Sequence, residues 1–126
     1  MEKPTKVLIV EDDLITQQIL ALYMNDYDHI IVSSGEDAIK ECETNKFDLI
    51  LMDIRLKVGI DGVMTFKNIK KIKGYQNIPI LAITAYAMRG DREYFLGEGF
   101  NGYLAKPFLK ENLIDIINTV IKKEMA

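Results

Sequence analysis

The 126-residue sequence is poor in cysteine, in histidine and in long apolar runs. Cys42 is its one cysteine, which excludes an internal disulfide and favours a reducing compartment. No apolar run approaches the roughly 20 residues of a membrane-spanning helix, and the acids directly behind the first apolar run are unlike a signal peptide. The net charge of −3 disfavours direct binding to nucleic acid. These absences predict a cytoplasmic protein, and the length suits a single domain over residues 1–126.

Apolar segments rich in β-branched residues recur along the chain and alternate with segments of helical spacing. The predicted strands are 6–10, 29–32, 47–52, 78–84 and 102–105. Three of them are continuously apolar, which is typical of parallel strands that are covered on both faces. Strands that alternate with helices predict an α/β domain built around a parallel sheet.

Cap residues and apolar spacing locate the predicted helices. Asp13 is the candidate N-cap of the first helix, and Ser34 is that of the second. The side chains expected to face inward are Ile15, Ile19, Leu22 and Tyr23 in the first helix, Ala38, Ile39 and Cys42 in the second, Val63, Phe66 and Ile69 in the third, and Leu113, Ile116, Ile117 and Val120 in the fifth. The fourth helix is predicted to be the weakest, because Gly97 lies inside it.

Charged and hydroxyl side chains lie at the ends of four predicted strands. They are Glu11, Asp12 and Asp13 after the first strand, Asp53 after the third, Thr84 at the end of the fourth and Lys106 after the fifth. Ligands bind beyond the carboxyl ends of parallel strands, so these groups meet in one crevice if the first and third strands are neighbours. Asp13 alone is better explained as a helix cap, but the combination indicates a site.

The donor atoms predict a site for Mg²⁺ rather than for Zn²⁺. Carboxylates that lie close together repel one another and attract a hard divalent cation, and no cysteine or histidine is predicted beside them. The lone histidine, His29, opens the second strand, at the opposite end of the sheet. A divalent cation, a lysine and a hydroxyl group are also what phosphoryl transfer requires, with Asp53 as the nucleophile.

Five motifs extend this interpretation over the whole chain: "VLIVEDD", "DLILMDIRL", "DG" at 61–62, "PILAITAYAM" and "GYLAKPF". Together they resemble a response-regulator receiver domain of two-component or phosphorelay signalling. The resemblance implies a doubly wound, flavodoxin-like fold with five helices and five parallel strands in the order 2-1-3-4-5. It also implies a phosphoacceptor signalling domain, with intrinsic autophosphorylation and slow autodephosphorylation, rather than an enzyme.

The resemblance assigns roles around the acceptor. Asp53 matches the phosphoacceptor, and Asp12 matches a direct ligand of Mg²⁺. Glu11 would act through water, and the backbone carbonyl of Arg55 would complete the metal shell. The first acid is a glutamate where many receivers have an aspartate, which gives it a longer reach.

Four more residues match positions that respond to the phosphoryl group. Thr84 and Lys106 would each bind a phosphoryl oxygen, and Pro107 matches the proline of a cis peptide bond after the lysine. Tyr103 matches the aromatic switch residue, whose ring turns inward as Thr84 moves toward the phosphate.

Two features near the acceptor are particular to this sequence. The loop "RLKVGIDG" places Gly62 nine positions after Asp53, one more than in many receivers, and it lacks their usual proline. Arg55 and Tyr86 lie two positions after Asp53 and Thr84 and are large enough to restrict the approach of water to an acyl phosphate. We therefore expect slow hydrolysis.

The leading interpretation is a signalling switch that takes its phosphoryl group from a histidine kinase or a histidine phosphotransfer protein. A downstream protein would then bind the face formed by the fourth helix, fifth strand and fifth helix, with no direct nucleic-acid or membrane contact. Met1 and the short polar lead favour a stand-alone protein; the alternative is a piece of a larger hybrid kinase or regulator. A Mg²⁺-dependent aspartyl-phosphate hydrolase is disfavoured because Arg55 stands where its second acid would be, and "EDDL" is unlike the phosphate loop of a flavin or nucleotide binder.

Overall fold

Five short parallel strands form the centre of the structure, a computed structural model that describes residues 6–85 and 88–125. The elements are β1 (Val7–Val10), α1 (Leu14–Tyr23), β2 (His29–Val32), α2 (Gly35–Thr44), β3 (Leu49–Asp53), α3 (Gly62–Lys70), β4 (Ile80–Thr84), α4 (Asp91–Glu98), β5 (Gly102–Ala105) and α5 (Lys110–Met125). The strand order is β2-β1-β3-β4-β5, which confirms the predicted doubly wound fold. None of the helices within the described residues is long and apolar enough to cross a bilayer.

Successive side chains along each central strand point to opposite faces of the sheet and pack in two separate cores. Leu8, Ile50 and Ala82 point to the side covered by α2, α3 and α4. Ile9 and Leu51, on the adjacent positions, point to the side covered by α1 and α5. Because β1, β3 and β4 are buried on both faces, their sequences are continuously apolar instead of alternating with polar residues.

Two predicted strands began two residues too early along the chain, and β1 begins at Val7, one residue later than predicted. β3 starts at Leu49 and not at residue 47, and β4 starts at Ile80 and not at residue 78. Pro79 has no amide hydrogen to donate to a strand ladder, which explains the second difference. β3 also extends one residue further than predicted, because Asp53 pairs with Ile83 as part of the ladder. The acceptor candidate is therefore held by the sheet itself.

Three of the four predicted inward residues of the first helix are wrong. Ile15 and Leu22 are 68% and 72% exposed, and Ile19 is also exposed, whereas Tyr23 is partly buried and packs against the core. The buried side chain is Leu20, and Met24 at the C-cap joins it in the core. Apolar residues surround much of this helix, so spacing alone did not identify the stripe that faces the sheet. The predicted inward residues of the second, third and fifth helices are buried or packed against the two cores.

The predicted helix caps are present. Asp13 Oδ2 accepts a hydrogen bond from the Thr16 amide at 2.9 Å, and Ser34 Oγ accepts one from the Asp37 amide at 3.1 Å. The hydrogen bonds to Thr16 lower the pKa of Asp13. Both caps satisfy amide groups that would otherwise lack a partner at a helix start.

α3 ends in a basic turn whose lysines have structural partners. Lys70 Nζ donates to the carbonyl of Ile78 at 2.8 Å, and Lys67 lies 3.6 Å from a carboxylate oxygen of Glu98 on α4. Cations at a helix C-terminus also interact favourably with its dipole. These contacts connect α3 to the segments that follow it. They explain why lysines occur in this turn, so no bound ligand is needed to explain them.

Gly62 determines how closely α3 approaches the end of β3. Its amide donates to the carbonyl of Ile54 at 3.1 Å. A Cβ atom at this position would overlap the carbonyl oxygen of Asp53 and lie 2.7 Å from the Cα atom of Ile54. Both obstacles are backbone atoms of the loop beside the acceptor, so a side chain here cannot be accommodated by a rotamer change.

We expect Gly62→Ala to lower the free energy of unfolding by about 1–3 kcal/mol, because the added methyl group overpacks this contact. Gly97→Ala is the matched control: a Cβ atom at Gly97 in α4 would meet nothing within 4 Å. We expect that variant to stabilise the fold by about 0.5–1 kcal/mol through its higher helix propensity. Urea denaturation measures both changes, and equal effects of the two substitutions would contradict this account.

Candidate functional site

Three carboxylates meet at the carboxyl edge of the sheet. Glu11 and Asp12 follow β1, and Asp53 ends the neighbouring β3. One oxygen from each lies within 4.8 Å of the others. Glu11 is 1% exposed and Asp53 is 4% exposed, whereas Asp12 is partly exposed. The sheet therefore brings together the acids that the sequence predicted to converge.

Lys106 supplies the positive charge that faces these acids. Its Nζ atom lies 2.6 Å from Glu11 Oε1 and 3.7 Å from Asp53 Oδ2. The backbone fixes its place, because the Lys106 amide donates to the carbonyl of Thr84 at 2.8 Å, at the end of the β4–β5 pair. The peptide bond between Lys106 and Pro107 is cis.

Glu11 has an unusual protonation equilibrium. Burial raises its pKa to about 7, because the loss of hydration outweighs the hydrogen bonds from Lys106 Nζ and from the Asp13 amide. The charge of Asp53 adds to the increase. Lys106, which makes this short contact, is the neighbour that opposes the increase in the pKa of Glu11. Both oxygens of Glu11 are thus engaged by protein donors, which fits a role through water better than direct ligation.

Asp12 and Asp53 each use one oxygen to hold the loop between β3 and α3. Asp53 Oδ1 accepts a hydrogen bond from the Arg55 amide at 3.0 Å. Asp12 Oδ2 accepts one from the Lys57 amide at 2.8 Å. Within the described part of the chain, the other oxygen of Asp12 accepts no hydrogen bond, and the other oxygen of Asp53 faces Lys106 Nζ at 3.7 Å. The donor set is entirely oxygen, so it fits Mg²⁺.

Thr84 and Tyr103 occupy the positions expected of the switch pair. Thr84 ends β4 and is buried, and Tyr103 lies on β5 opposite Ala82. The ring of Tyr103 stacks on Phe95 of α4 with 5.9 Å between centroids. Its hydroxyl is buried and has no hydrogen-bond partner within the described part of the chain, and burial raises its pKa.

An open crevice of about 760 Å³ leads to the acids. Asp12, Asp53 and Lys106 line this crevice, together with the small residue Ala85, which follows Thr84. Arg55, which the sequence predicted to restrict the approach of water, is among the residues that line this crevice. Tyr86, the second residue of that prediction, lies outside the described residues.

Most of this chain matches a known protein family. Residues 7–118 match the family model of the response regulator receiver domain. The chain belongs to the response regulator receiver family. Receivers are signalling domains of two-component systems and not classical enzymes, which confirms the function class predicted from the sequence.

Several curated relatives of this receiver are sensor kinases. Hybrid signal transduction histidine kinase I of Dictyostelium discoideum is 35% identical over 129 residues, covering 95% of this chain and 7% of that protein. Histidine-protein kinase BarA of Escherichia coli is 34% identical, covering 88% of this chain and 12% of the kinase. The chain thus spans about a tenth of these kinases. It covers 97% of another relative, the response regulator DivK of Brucella anthropi, at 31% identity over 94% of this chain.

Solved receivers have the same fold. The receiver domain of sensor histidine kinase PA1611 from Pseudomonas aeruginosa superposes with a TM-score of 0.84 at 35% identity, covering 95% of this chain and 99% of that one. That crystal structure holds a magnesium ion in its active-site cleft. The chemotaxis protein CheY4 of Vibrio cholerae superposes with a TM-score of 0.85 at 26% identity, over 94% of this chain and 99% of its own.

Sequence reasoning missed the groups that hold the acidic residues in place. The Lys57 amide binds Asp12, and the side-chain amide of Gln17 donates to the Glu11 carbonyl at 2.6 Å and to Ser33 Oγ at 3.2 Å. The Lys57 contact uses a backbone atom and carries no residue-type signal. Gln17 lies one turn after the acids, and only its helical position could have indicated that it reaches back to them.

Asp12→Asn should abolish the thermal stabilisation of this protein by Mg²⁺, because it removes a ligand charge while leaving an oxygen for the Lys57 amide. At a Mg²⁺ concentration about ten times Kd, we expect the wild type to gain about 1.4 kcal/mol, or several degrees in Tm. Asp13→Asn is the control, since it loses the same charge but keeps a good N-cap. A Mg²⁺-induced shift of Asp12→Asn equal to that of the wild type would exclude Asp12 as a ligand.

Proposed function

We propose that this receiver accepts a phosphoryl group on Asp53 from a phosphohistidine donor in a Mg²⁺-dependent reaction, within one domain over residues 1–126. The observation that carries the proposal is that Asp53, Asp12 and Lys106 line one open crevice. Among the described residues, Asp53 alone combines a fixed place in the sheet, a contact with Lys106 and a neighbouring metal-type ligand, so it is the proposed acceptor.

The transfer requires little covalent chemistry from the protein. An Asp53 carboxylate oxygen forms a bond to phosphorus while the phosphorus–nitrogen bond of the donor breaks, and the imidazole leaves with that electron pair. Mg²⁺, held by Asp12, Asp53 and the Arg55 carbonyl with Glu11 acting through water, would supply charge neutralisation. Lys106 approaches Asp53 to 3.7 Å and neutralises a second phosphoryl oxygen.

Thr84 and Ala85 make room for the group and bind it. Thr84 is buried at the end of β4, where its hydroxyl is one strand away from Asp53. Ala85 lines the crevice with a single methyl group and leaves space above the acceptor. Arg55 at the rim limits the approach of water, so the acyl phosphate is expected to decay slowly.

We propose that the donor is a histidine kinase or histidine phosphotransfer protein and that it lies against α1. The proposed site of action is the cytoplasm. α1 begins directly after the acidic residues, and Asp13 and Thr16 line the crevice. Leu14, Ile15 and Leu22 on this helix are largely exposed. Exposed apolar groups that adjoin a functional pocket mark a contact surface. A protein whose histidine reaches Asp53 would cover them.

Asp53→Asn should abolish labelling by acetyl phosphate and by phosphohistidine donors and leave the fold intact. The asparagine keeps an oxygen for the Arg55 amide but lacks the nucleophilic carboxylate. Asp61→Asn is the matched control, because Asp61 lines the same crevice yet serves as the N-cap of α3, a role that asparagine fills well. Intact-mass spectrometry measures the adduct, and its removal by hydroxylamine identifies it as an acyl phosphate. Labelling of Asp53→Asn at the wild-type rate would refute the assignment.

Phosphorylation is proposed to act on a downstream protein through α4, β5 and α5. Three features make α4 the element that yields first: its N-cap, Gly90, makes no side-chain cap hydrogen bond, it contains Gly97, and it is eight residues long. Tyr103 connects it to the site, because its ring stacks on Phe95 of α4 and it lies on the strand that leads to Lys106.

Beryllofluoride with Mg²⁺, a mimic of the acyl phosphate, should shift backbone amide resonances throughout residues 88–105 in addition to those of the crevice. Packed interiors switch between discrete arrangements, so closure of Thr84 and Lys106 on the mimic should be transmitted through Tyr103. Amides of residues 41–44, at the end of α2 away from Glu36, serve as the internal reference for changes that do not belong to this path. Shifts confined to the crevice would place the output surface elsewhere.

A further inference from the structure

The β3–α3 loop is clamped between the acidic site and α2. At its first end, the amides of Arg55 and Lys57 donate to the carboxylates of Asp53 and Asp12. At its far end, the amide of Ile60 donates to Glu36 Oε2 at 3.1 Å. The loop is thus fixed at one end by the candidate metal ligands and at the other by a carboxylate on a helix that lies outside the crevice.

Close packing makes the contact with α2 specific. Gly59 has a φ of +78°, and a Cβ atom there would lie 2.5 and 2.6 Å from the two oxygens of Glu36. A Cβ atom at Gly35 would lie 2.8 Å from a side-chain carbon of Ile60 and would overlap the hydroxyl of Thr65. Glycines on both sides therefore let the loop rest directly on the first turn of α2, with the Glu36 carboxylate against the loop backbone.

Glu36 is well suited to be a fixed anchor. It lies in the first turn of α2, after the N-cap Ser34, where the helix dipole favours a carboxylate. Ile60, whose amide donates to Glu36, lies three residues after Lys57 in the loop. The amide of Lys57 donates to Asp12. A loop one residue longer than in many receivers has more conformations to lose when a ligand requires one of them.

We propose that Glu36 is a positioning residue: by anchoring the loop at Ile60, it holds the Lys57 amide on Asp12 and the Arg55 carbonyl near the acceptor, so that the site is ordered before Mg²⁺ or a donor arrives. This inference rests on the proposed function. An ordered loop spares the ligand the entropic cost of arranging it, so the anchor raises affinity without touching the ligand.

Three variants separate anchoring from charge. Glu36→Ala removes the acceptor, Glu36→Gln removes the charge but keeps an oxygen for the Ile60 amide, and Asp37→Ala removes a neighbouring charge of the same helix turn. The readouts are hydrogen exchange of the Lys57 amide without metal, the Kd for Mg²⁺ from amide shifts, and the initial rate of Asp53 labelling by acetyl phosphate. Glu36 is exposed, and the amide spectrum of each variant verifies its fold.

We expect Glu36→Ala to speed exchange of the Lys57 amide and to weaken Mg²⁺ binding by about three- to tenfold, the scale of one typical protein hydrogen bond. Glu36→Gln and Asp37→Ala should stay within about twofold of the wild type. The inference is overturned if Glu36→Ala matches the wild type, or if all three variants weaken Mg²⁺ binding equally, since charge would then carry the effect.

Failure of the proposed function gives a different result. If the wild type neither binds Mg²⁺ nor is labelled on Asp53, the proposed function fails. Exchange of the Lys57 amide in the metal-free protein still tests the anchor in that case. Faster exchange in Glu36→Ala than in Glu36→Gln would support the anchor, and equal exchange in the two variants would overturn it.

Discussion

The mutual repulsion of three carboxylates at one sheet edge is the constraint on which the other features of this receiver depend. Oxygens of Glu11, Asp12 and Asp53 lie within 4.8 Å of one another, and two of these residues are almost completely buried. Such an arrangement opposes folding, so it needs compensation. Lys106 supplies part of it, and backbone amides supply another part. The pKa of Glu11 is raised chiefly by burial, and the charge of Asp53 adds to the increase.

The fold tolerates this arrangement because the charges lie only at the ends of the strands. Below the acids, β1, β3 and β4 are buried on both faces and supply two apolar cores, one under α1 and α5 and one under α2, α3 and α4. The stability gained there offsets the electrostatic cost at the edge. Parallel pairing also fixes distances between strands, so the acids cannot move apart to relieve their repulsion. Under the proposed function, a bound cation relieves this repulsion.

Connections from the site run in two directions through different physical means. Toward α2, hydrogen bonds of loop amides to Asp12 and Glu36 join the site to a helix that contributes no charged group to the crevice. Toward α4, the connection is by packing, through Tyr103 stacked on Phe95. The first arrangement suits a fixed support, whereas a stacked ring with a buried hydroxyl that lacks a described partner suits an element that can change position.

The sequence by itself determined the parallel α/β fold, the helix caps and the identity of the acids, because these depend on local signals: continuous apolar runs, cap residues and charges at strand ends. Tertiary structure decided the rest. The sheet-facing side of α1 could not be predicted, since apolar residues occur around most of that helix and only packing against β1 selects Leu20 and Met24. The exact start of β3 depended on pairing with its neighbours. The supports of the site, the Lys57 amide on Asp12 and the Glu36 carboxylate under the loop, join groups 45 and 24 residues apart through backbone atoms, which every residue type except proline provides, so only the folded chain could reveal them.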